Sequence, residues 1–178
     1  MSFLYFAYGS NMLSERLVAR CPSAKVIGTA SAANSVLKFE KRSIDQSGKA
    51  TLLTAGGQGA ITPGVLFEVT QADIGNLDRA EGAGNGYDRH DNFQVQLVDT
   101  RQIVVAKTYV ATTTEEELKP YDWYLALVIA GARQHNLDPS HIKMLCQTPY
   151  VIDEDQLRKS RSDAMALLLS IGAQFPPA

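Results

Sequence analysis

Apolar residues change their spacing repeatedly along this chain. Phe3-Leu4-Tyr5-Phe6-Ala7-Tyr8 is apolar or aromatic at every position rather than at alternate ones, which predicts a short strand buried on both faces. The run stops at Gly9-Ser10-Asn11, after which Met12, Leu13 and Leu17 fall on one side of a helix that Cys21-Pro22 closes. Ser10 and Asn11 are both favourable N-caps, so strand, tight turn and helix N-terminus are expected in succession. The next region reads as strands: 25–39, 49–54, 61–70, 87–98 and 102–111 are rich in Val, Ile, Leu, Thr and aromatics. Ser47-Gly48 and Gly56-Gly57-Gln58-Gly59 supply two of the connections. One helix interrupts the series. In Thr70–Gly82 the residues Ile74, Leu77 and Ala80 form a helical stripe, Thr70 and Asp73 have the spacing of a capping box, and Gly82 is a natural C-terminal stop.

Beyond Thr114 the pattern becomes helical. Pro120 opens a stretch in which Tyr124, Leu127, Val128 and Ala132 recur at three- and four-residue spacing. Asp138-Pro139 reads as N-cap and first-turn proline of a helix through Ile142 and Leu145. Asp153-Glu154-Asp155 places acids at the start of a final helix, with Leu157, Met165, Leu168 and Leu169 available for packing. The end, Phe175-Pro176-Pro177-Ala178, reads as a frayed tail. Strands first and helices later predict an α+β fold, with a sheet or barrel core and helices to one side. No repeat or linker divides 1–178, so one domain is expected.

Composition narrows function mainly by exclusion. The 178 residues carry 17 Lys plus Arg against 19 Asp plus Glu, so no concentrated basic face for nucleic acid is expected. Cys21 and Cys146 stand far apart with no further Cys or His at ligand spacing, which argues against a zinc site. No apolar run approaches the ~20 residues that span a bilayer. The start, MSFLYFAYGS, lacks the basic opening and cleavage site of a secretion signal, so the default expectation is a cytoplasmic, metal-free protein with no membrane partner.

Two places could carry chemistry. At the turn Tyr8–Met12, backbone N–H groups without intrahelical partners make a site for an anion or a developing oxyanion, and Gly9 lets a ligand approach the backbone. The alternative is that Ser10 or Asn11 merely caps the helix. Ser10 as a nucleophile is weaker, because no histidine is marked as its base and no GxSxG elbow surrounds it. The second place is Glu81 at the C-terminal end of the short helix. Turned into a pocket it is a candidate general acid/base; otherwise it is an ordinary surface glutamate. The acidic triplets Glu115-Glu116-Glu117 and Asp153-Glu154-Asp155 read as solvated ends and helix starts rather than metal ligands. His90-Asp91 reads as surface residues beginning a strand. Tyr121, Trp123 and Tyr124 read as core aromatics, one of which could wall a small polar pocket.

The run FLYFAYGSNM at 3–12 resembles the N-terminal motif of the γ-glutamylcyclotransferase (AIG2-like) family, and LDRAEG at 77–82 with GYDR at 86–89 resembles its second motif. Gly64-Val65-Leu66-Phe67, Pro120 to Tyr124 and Gly131-Ala132 continue the likeness, which covers roughly 3–145. The resemblance implies a small mixed β-barrel with flanking helices and conversion of γ-glutamyl amino acids to 5-oxoproline without a cofactor. It implies Glu81 as the catalytic acid/base, Tyr5, Phe6, Ala7, Tyr8, Gly9 and Ser10 as the substrate-binding strand end and loop, and Tyr124 as a pocket tyrosine. Asn11 and Tyr87 lie in or beside the motifs and are assigned to the pocket with them. Relatives are often dimeric, so a homodimer is an expectation by analogy alone. The segment Ala83-Gly84-Asn85-Gly86 is one residue shorter than in animal relatives, which bears on the leaving group. The alternatives are a sibling enzyme acting on γ-glutamyl-amines, glutathione or a γ-glutamyl-protected metabolite, and a non-catalytic module that binds such a metabolite.

Overall fold

The computed structural model describes residues 1–54, 59–173 and 175. The Gly56-Gly57-Gln58 part of one expected connection and the Pro176–Ala178 part of the expected tail lie outside the described residues. In chain order the elements are β1 (Ser2–Ala7), α1 (Ser14–Arg20), β2 (Lys25–Ala33), β3 (Ser35–Arg42), β4 (Gly48–Thr54), β5 (Ile61–Thr70), α2 (Ile74–Glu81), β6 (Tyr87–Leu97), β7 (Ile103–Ala111), α3 (Asp122–Gln134), α4 (Pro139–Cys146) and α5 (Lys159–Ser170).

Five strands close a barrel in the order β1-β5-β2-β6-β7. Closure is made by a parallel contact, Tyr5 against Lys107, while the other pairs are antiparallel. The fold is thus α+β, a mixed barrel with flanking helices. The barrel core gathers Phe6, Val65, Leu66, Phe67, Val69 and Ala106, and the apolar run of β1 is continuous because β1 sits between β5 and β7 with both faces covered. Helix α3 is the most buried helix: Leu125, Leu127, Val128 and Ala132 are inaccessible or nearly so. Among the described residues no helix is long and apolar enough to cross a membrane.

Several local expectations change. The continuous strand expected over 25–39 breaks at Asn34, whose φ of 53° turns the chain, and β3 leaves the barrel to pair with β4 in a separate two-stranded sheet. Asn tolerates this left-handed backbone better than most residues. The Thr70–Asp73 capping box does not form. Residues Gln71–Asp73 make a 3₁₀ turn, and the two side chains converge instead on Ser23. Ser23 Oγ accepts from Thr70 Oγ1 at 3.0 Å and donates to Asp73 Oδ2 at 2.6 Å, stitching the start of β2 to the end of β5. Asp138 does cap α4, accepting from the amide of Ser140 at 2.8 Å.

The last helix begins at Lys159, not at the acids, and Leu157 and Leu169 face solvent while Leu168 is buried. Asp153 is 1% exposed, contrary to its expected place at a solvated helix start. It accepts from Trp123 Nε1 at 2.8 Å and Arg158 Nε at 2.7 Å, pinning the segment before α5 against α3. Burial pushes the Asp153 carboxyl upward, but the Arg158 and Trp123 donors outweigh it and hold the group below its ordinary value. A depressed folded-state value means stability that is present above the unfolded value and is lost as pH falls through the folded one. Asp153→Ala is therefore expected to cost about 1.5–3 kcal/mol at neutral pH. In urea melts the gap from wild type should narrow below about pH 4, as the carboxyl protonates.

Candidate active site

The end of β1 and its following turn meet the end of α2 at one mouth of the barrel. Helix α2 stops at Glu81 because Gly82 adopts the left-handed conformation, φ 73°, and its neighbour Ala83 returns an amide to the carbonyl of Asp78 at 2.9 Å. A small cavity of about 30 Å³ results, room for about one water. Tyr5, Tyr8, Gly9, Ser10, Asn11, Glu81, Tyr87 and Tyr124 line it, together with Ala50, Thr108 and Tyr109.

Glu81 is half-buried and held through one oxygen. Its Oε1 accepts from Tyr5 Oη and, at 2.8 Å, from Asn11 Nδ2. Among the described residues Oε2 accepts no hydrogen bond, so it is the oxygen left for a ligand. The Asn11 amide has its orientation set from behind: Oδ1 accepts from Arg20 Nη1 at 2.8 Å, and since Arg only donates, Nδ2 must face Glu81. Neither Ser10 nor Asn11 caps a helix, contrary to the simplest local reading. Residues Ser10–Met12 form a 3₁₀ turn, closed by the Met12 amide on the Gly9 carbonyl at 3.0 Å. Ser10 Oγ accepts from Arg16 Nε at 3.2 Å, and among the described residues it bonds no histidine or carboxylate that could act as its base. Burial, then repulsion from Arg20, pushes the Arg16 guanidinium down to about 10.

The rest of the wall is phenolic. Tyr8 Oη donates to the Tyr109 carbonyl, Tyr87 Oη donates to the Ala50 carbonyl at 2.7 Å, and Tyr124 Oη accepts from the Ala50 amide at 3.1 Å. Ala50 on β4 thereby joins the two-stranded sheet to the site. Burial first, and the Glu81 charge next, push the Tyr5 and Tyr8 phenols well above their ordinary value. Burial raises Tyr87 and Tyr124 as well. All four therefore stay protonated, neutral hydrogen-bonding groups across physiological pH.

Phe6 and Ala7 lie outside the lining. Phe6 is fully buried against Tyr8 and Phe93, and the Phe6 carbonyl accepts from Thr108 Oγ1 at 2.9 Å; Ala7 pairs with Val65 in the barrel. Sequence reasoning did not single out Tyr109, Thr108 or Ala50, nor Arg16 and Arg20 behind the turn. Tyr109 Oη donates to Asp78 at 2.7 Å, and Asp78 takes two bonds from Arg89 at 2.9 and 2.7 Å. That pair was available as a signal, since Asp78 lies within LDRAEG and Arg89 within GYDR.

Comparison with known proteins bears on the fold and the family. Residues 63–145 match the model of the AIG2-like family. The chain is 30% identical over 151 residues to a bovine protein named γ-glutamylcyclotransferase, covering 81% of this chain and 77% of the relative. A human protein of the same name is 30% identical over 143 residues, covering 76% and 73% respectively. A solved structure named γ-glutamyl cyclotransferase superposes with a TM-score of 0.83 at 25% identity, covering 94% of this chain and 99% of that one. Barrel, cavity and similarity over most of the length thus coincide, and the chain belongs to the γ-glutamylcyclotransferase family of enzymes.

Proposed function

We propose that the protein converts γ-glutamyl amino acids to 5-oxoproline and the free amino acid, with Glu81 as the general acid/base. The observation that carries this is a carboxylate anchored through one oxygen by Tyr5 and Asn11, its second oxygen accepting no hydrogen bond among the described residues, on a residue that lines a cavity walled by neutral phenols. The reaction needs no enzyme nucleophile, because the substrate's α-amine attacks its own γ-carbonyl and closes a five-membered lactam. What the protein must supply is a folded substrate, a proton carrier and charge stabilisation. Glu81 Oε2 takes a proton from the α-ammonium. The freed nitrogen adds to the γ-carbonyl, and the carbonyl oxygen becomes an oxyanion. Collapse of that intermediate breaks the γ-amide C–N bond. Two protons pass in all from the attacking nitrogen to the departing one, so the lactam keeps one N–H and the amino acid leaves as an ammonium. Glu81 ends as it began.

The Tyr124 hydroxyl, which accepts from the Ala50 amide and keeps its own proton to donate, and the amides of the Gly9–Asn11 turn are the donors available for the α-carboxylate and the oxyanion, the first amides of a turn being those without intrahelical partners. The cavity holds about one water, so substrate entry requires the mouth to widen. The Gly82–Gly86 segment is the natural place, with no described residue within 4 Å of where a side chain on Gly84 would begin. Incubation with a panel of γ-glutamyl dipeptides, γ-glutamyl-lysine isomers and glutathione, read by mass spectrometry, tests the proposal. 5-Oxoproline from the dipeptides is the expected outcome; release from glutathione alone would favour the sibling reading, and no product from any would favour a binding module.

A further inference from the structure

Among the described residues Lys41 on β3 is a cation with no anion in contact. It is half-buried, yet among the described residues it makes no salt bridge and no hydrogen bond. Its neighbours are satisfied: Lys49, directly opposite it in the β3–β4 register, bonds Asp45 at 2.9 Å; Arg42 pairs with Glu115; Lys38 stands 3.9 Å from Glu40. Asp45 acts on Lys41 from a distance, and it is already engaged by Lys49 and Ser47. Burial pulls the Lys41 ammonium below its ordinary value. A partly buried, unpaired charge is costly, and its persistence beside a cavity points to a ligand.

Its position says which ligand. The Lys41 ammonium lies 5.1 Å from the centre of the Tyr87 ring, on a residue that lines the catalytic cavity. Its Cε and Nζ come within 2.9 and 3.2 Å of where a β-carbon on Gly86 would stand. Gly86 closes the segment that leads away from Glu81 and that carries only small side chains and Asn85, the open side of the mouth. A substrate whose γ-glutamyl head occupies the cavity and whose scissile amide meets Glu81 must send its leaving residue out past this segment. There the first charged group is the α-carboxylate of the departing amino acid.

We propose that Lys41 is a specificity-determining residue that binds the carboxylate of the leaving amino acid, selecting γ-glutamyl amino acids over γ-glutamyl-amines. The inference rests on the cyclotransferase reading above. Resting on Tyr87 keeps the ammonium partly desolvated, which strengthens its attraction for an incoming carboxylate; a cation–ring contact is weaker than an ion pair and is exchanged for one. The site would discriminate by charge at the rim and leave the reacting atoms to Glu81.

The test compares γ-glutamyl-L-alanine with γ-glutamyl-ethylamide, which has the same carbon skeleton without the carboxylate, on wild type, Lys41→Met and Lys41→Arg. Methionine keeps the unbranched stem that packs on Tyr87 and Gly86. Lys41→Met is expected to lower kcat/KM for γ-glutamyl-L-alanine about 10- to 100-fold, mainly through KM, the range for a hydrogen-bonded charge pair. Turnover of the ethylamide should be unchanged, and Lys41→Arg should restore most of the loss. Equal losses on both substrates, or no loss on either, would overturn the role of Lys41 while leaving the cyclotransferase reading intact. Absence of 5-oxoproline from both substrates with the wild-type protein would instead overturn that reading.

Discussion

Glu81→Gln is expected to leave the fold and substrate binding in place and to lower turnover by about 10²–10⁴-fold, the range typical of a lost general acid/base. Glutamine is the right replacement because it preserves what holds the side chain. Its amide oxygen can occupy the position of Oε1 and still accept from Tyr5 and from Asn11. Its amide nitrogen then stands where Oε2 was, and it cannot take a proton from an ammonium. An unchanged urea midpoint for the variant would exclude a folding defect. Calorimetric titration with γ-glutamyl-L-alanine should give a Kd within a few-fold of the wild-type KM. Turnover within a few-fold of wild type would remove Glu81 from the proton-carrying role. Glu81→Ala is less informative, since it leaves the Tyr5 and Asn11 donors without an acceptor and disturbs the cavity as well.

The second large effect concerns packing rather than chemistry. Gly131 lies inside α3, where replacement of glycine by alanine ordinarily gains about 1 kcal/mol. Here a β-carbon would stand 2.5 Å from the Leu13 amide nitrogen and 2.8 Å from Met12 C and Cβ. These are the residues that follow Asn11, and two of the three atoms are backbone, which cannot swing aside. Gly131→Ala is therefore expected to reverse the usual sign, costing about 1–3 kcal/mol as overpacking does. Catalysis should fall with it, because a displaced turn carries Asn11 away from the 2.8 Å bond to Glu81. Gly75 in α2 supplies the control. Among the described residues a β-carbon there meets nothing nearer than Arg79 Nη1 at 3.7 Å, so Gly75→Ala should keep or raise the urea midpoint. The comparison is read from midpoints at constant m-value; a stabilised Gly131→Ala protein would refute the close approach of α3 to the turn.

What was legible in the sequence is what is local. The β1 run, the break at Gly9 and the helix ending on Glu81-Gly82 each lie in one contiguous stretch, and the two motifs sit at the cavity they form. Features made by distant pairing were not legible. Tyr109 and Thr108 reach the cavity because β7 closes the barrel against β1, which no periodicity within β7 announces. Ala50 enters because β3 and β4 leave the barrel at Asn34, a single turn inside what reads as one long strand. Ser10 and Asn11 looked like caps because short polar side chains after a strand usually are; Arg16, Arg20 and Glu81, brought by tertiary structure, claimed them first. Asp153 was misread for the same reason, since Trp123 and Arg158 give a buried carboxylate partners that local spacing does not reveal.

In the proposed reaction the substrate supplies its own nucleophile while Glu81 moves protons. Incubation of the wild-type protein with γ-glutamyl-L-alanine in ¹⁸O-labelled water tests it most directly, with both products quantified by mass spectrometry. 5-Oxoproline and alanine are expected in equal amounts, with no label in the 5-oxoproline, because the γ-carbonyl oxygen never leaves its carbon. Release of alanine with labelled glutamate would mean attack by water, and would contradict the proposed reaction.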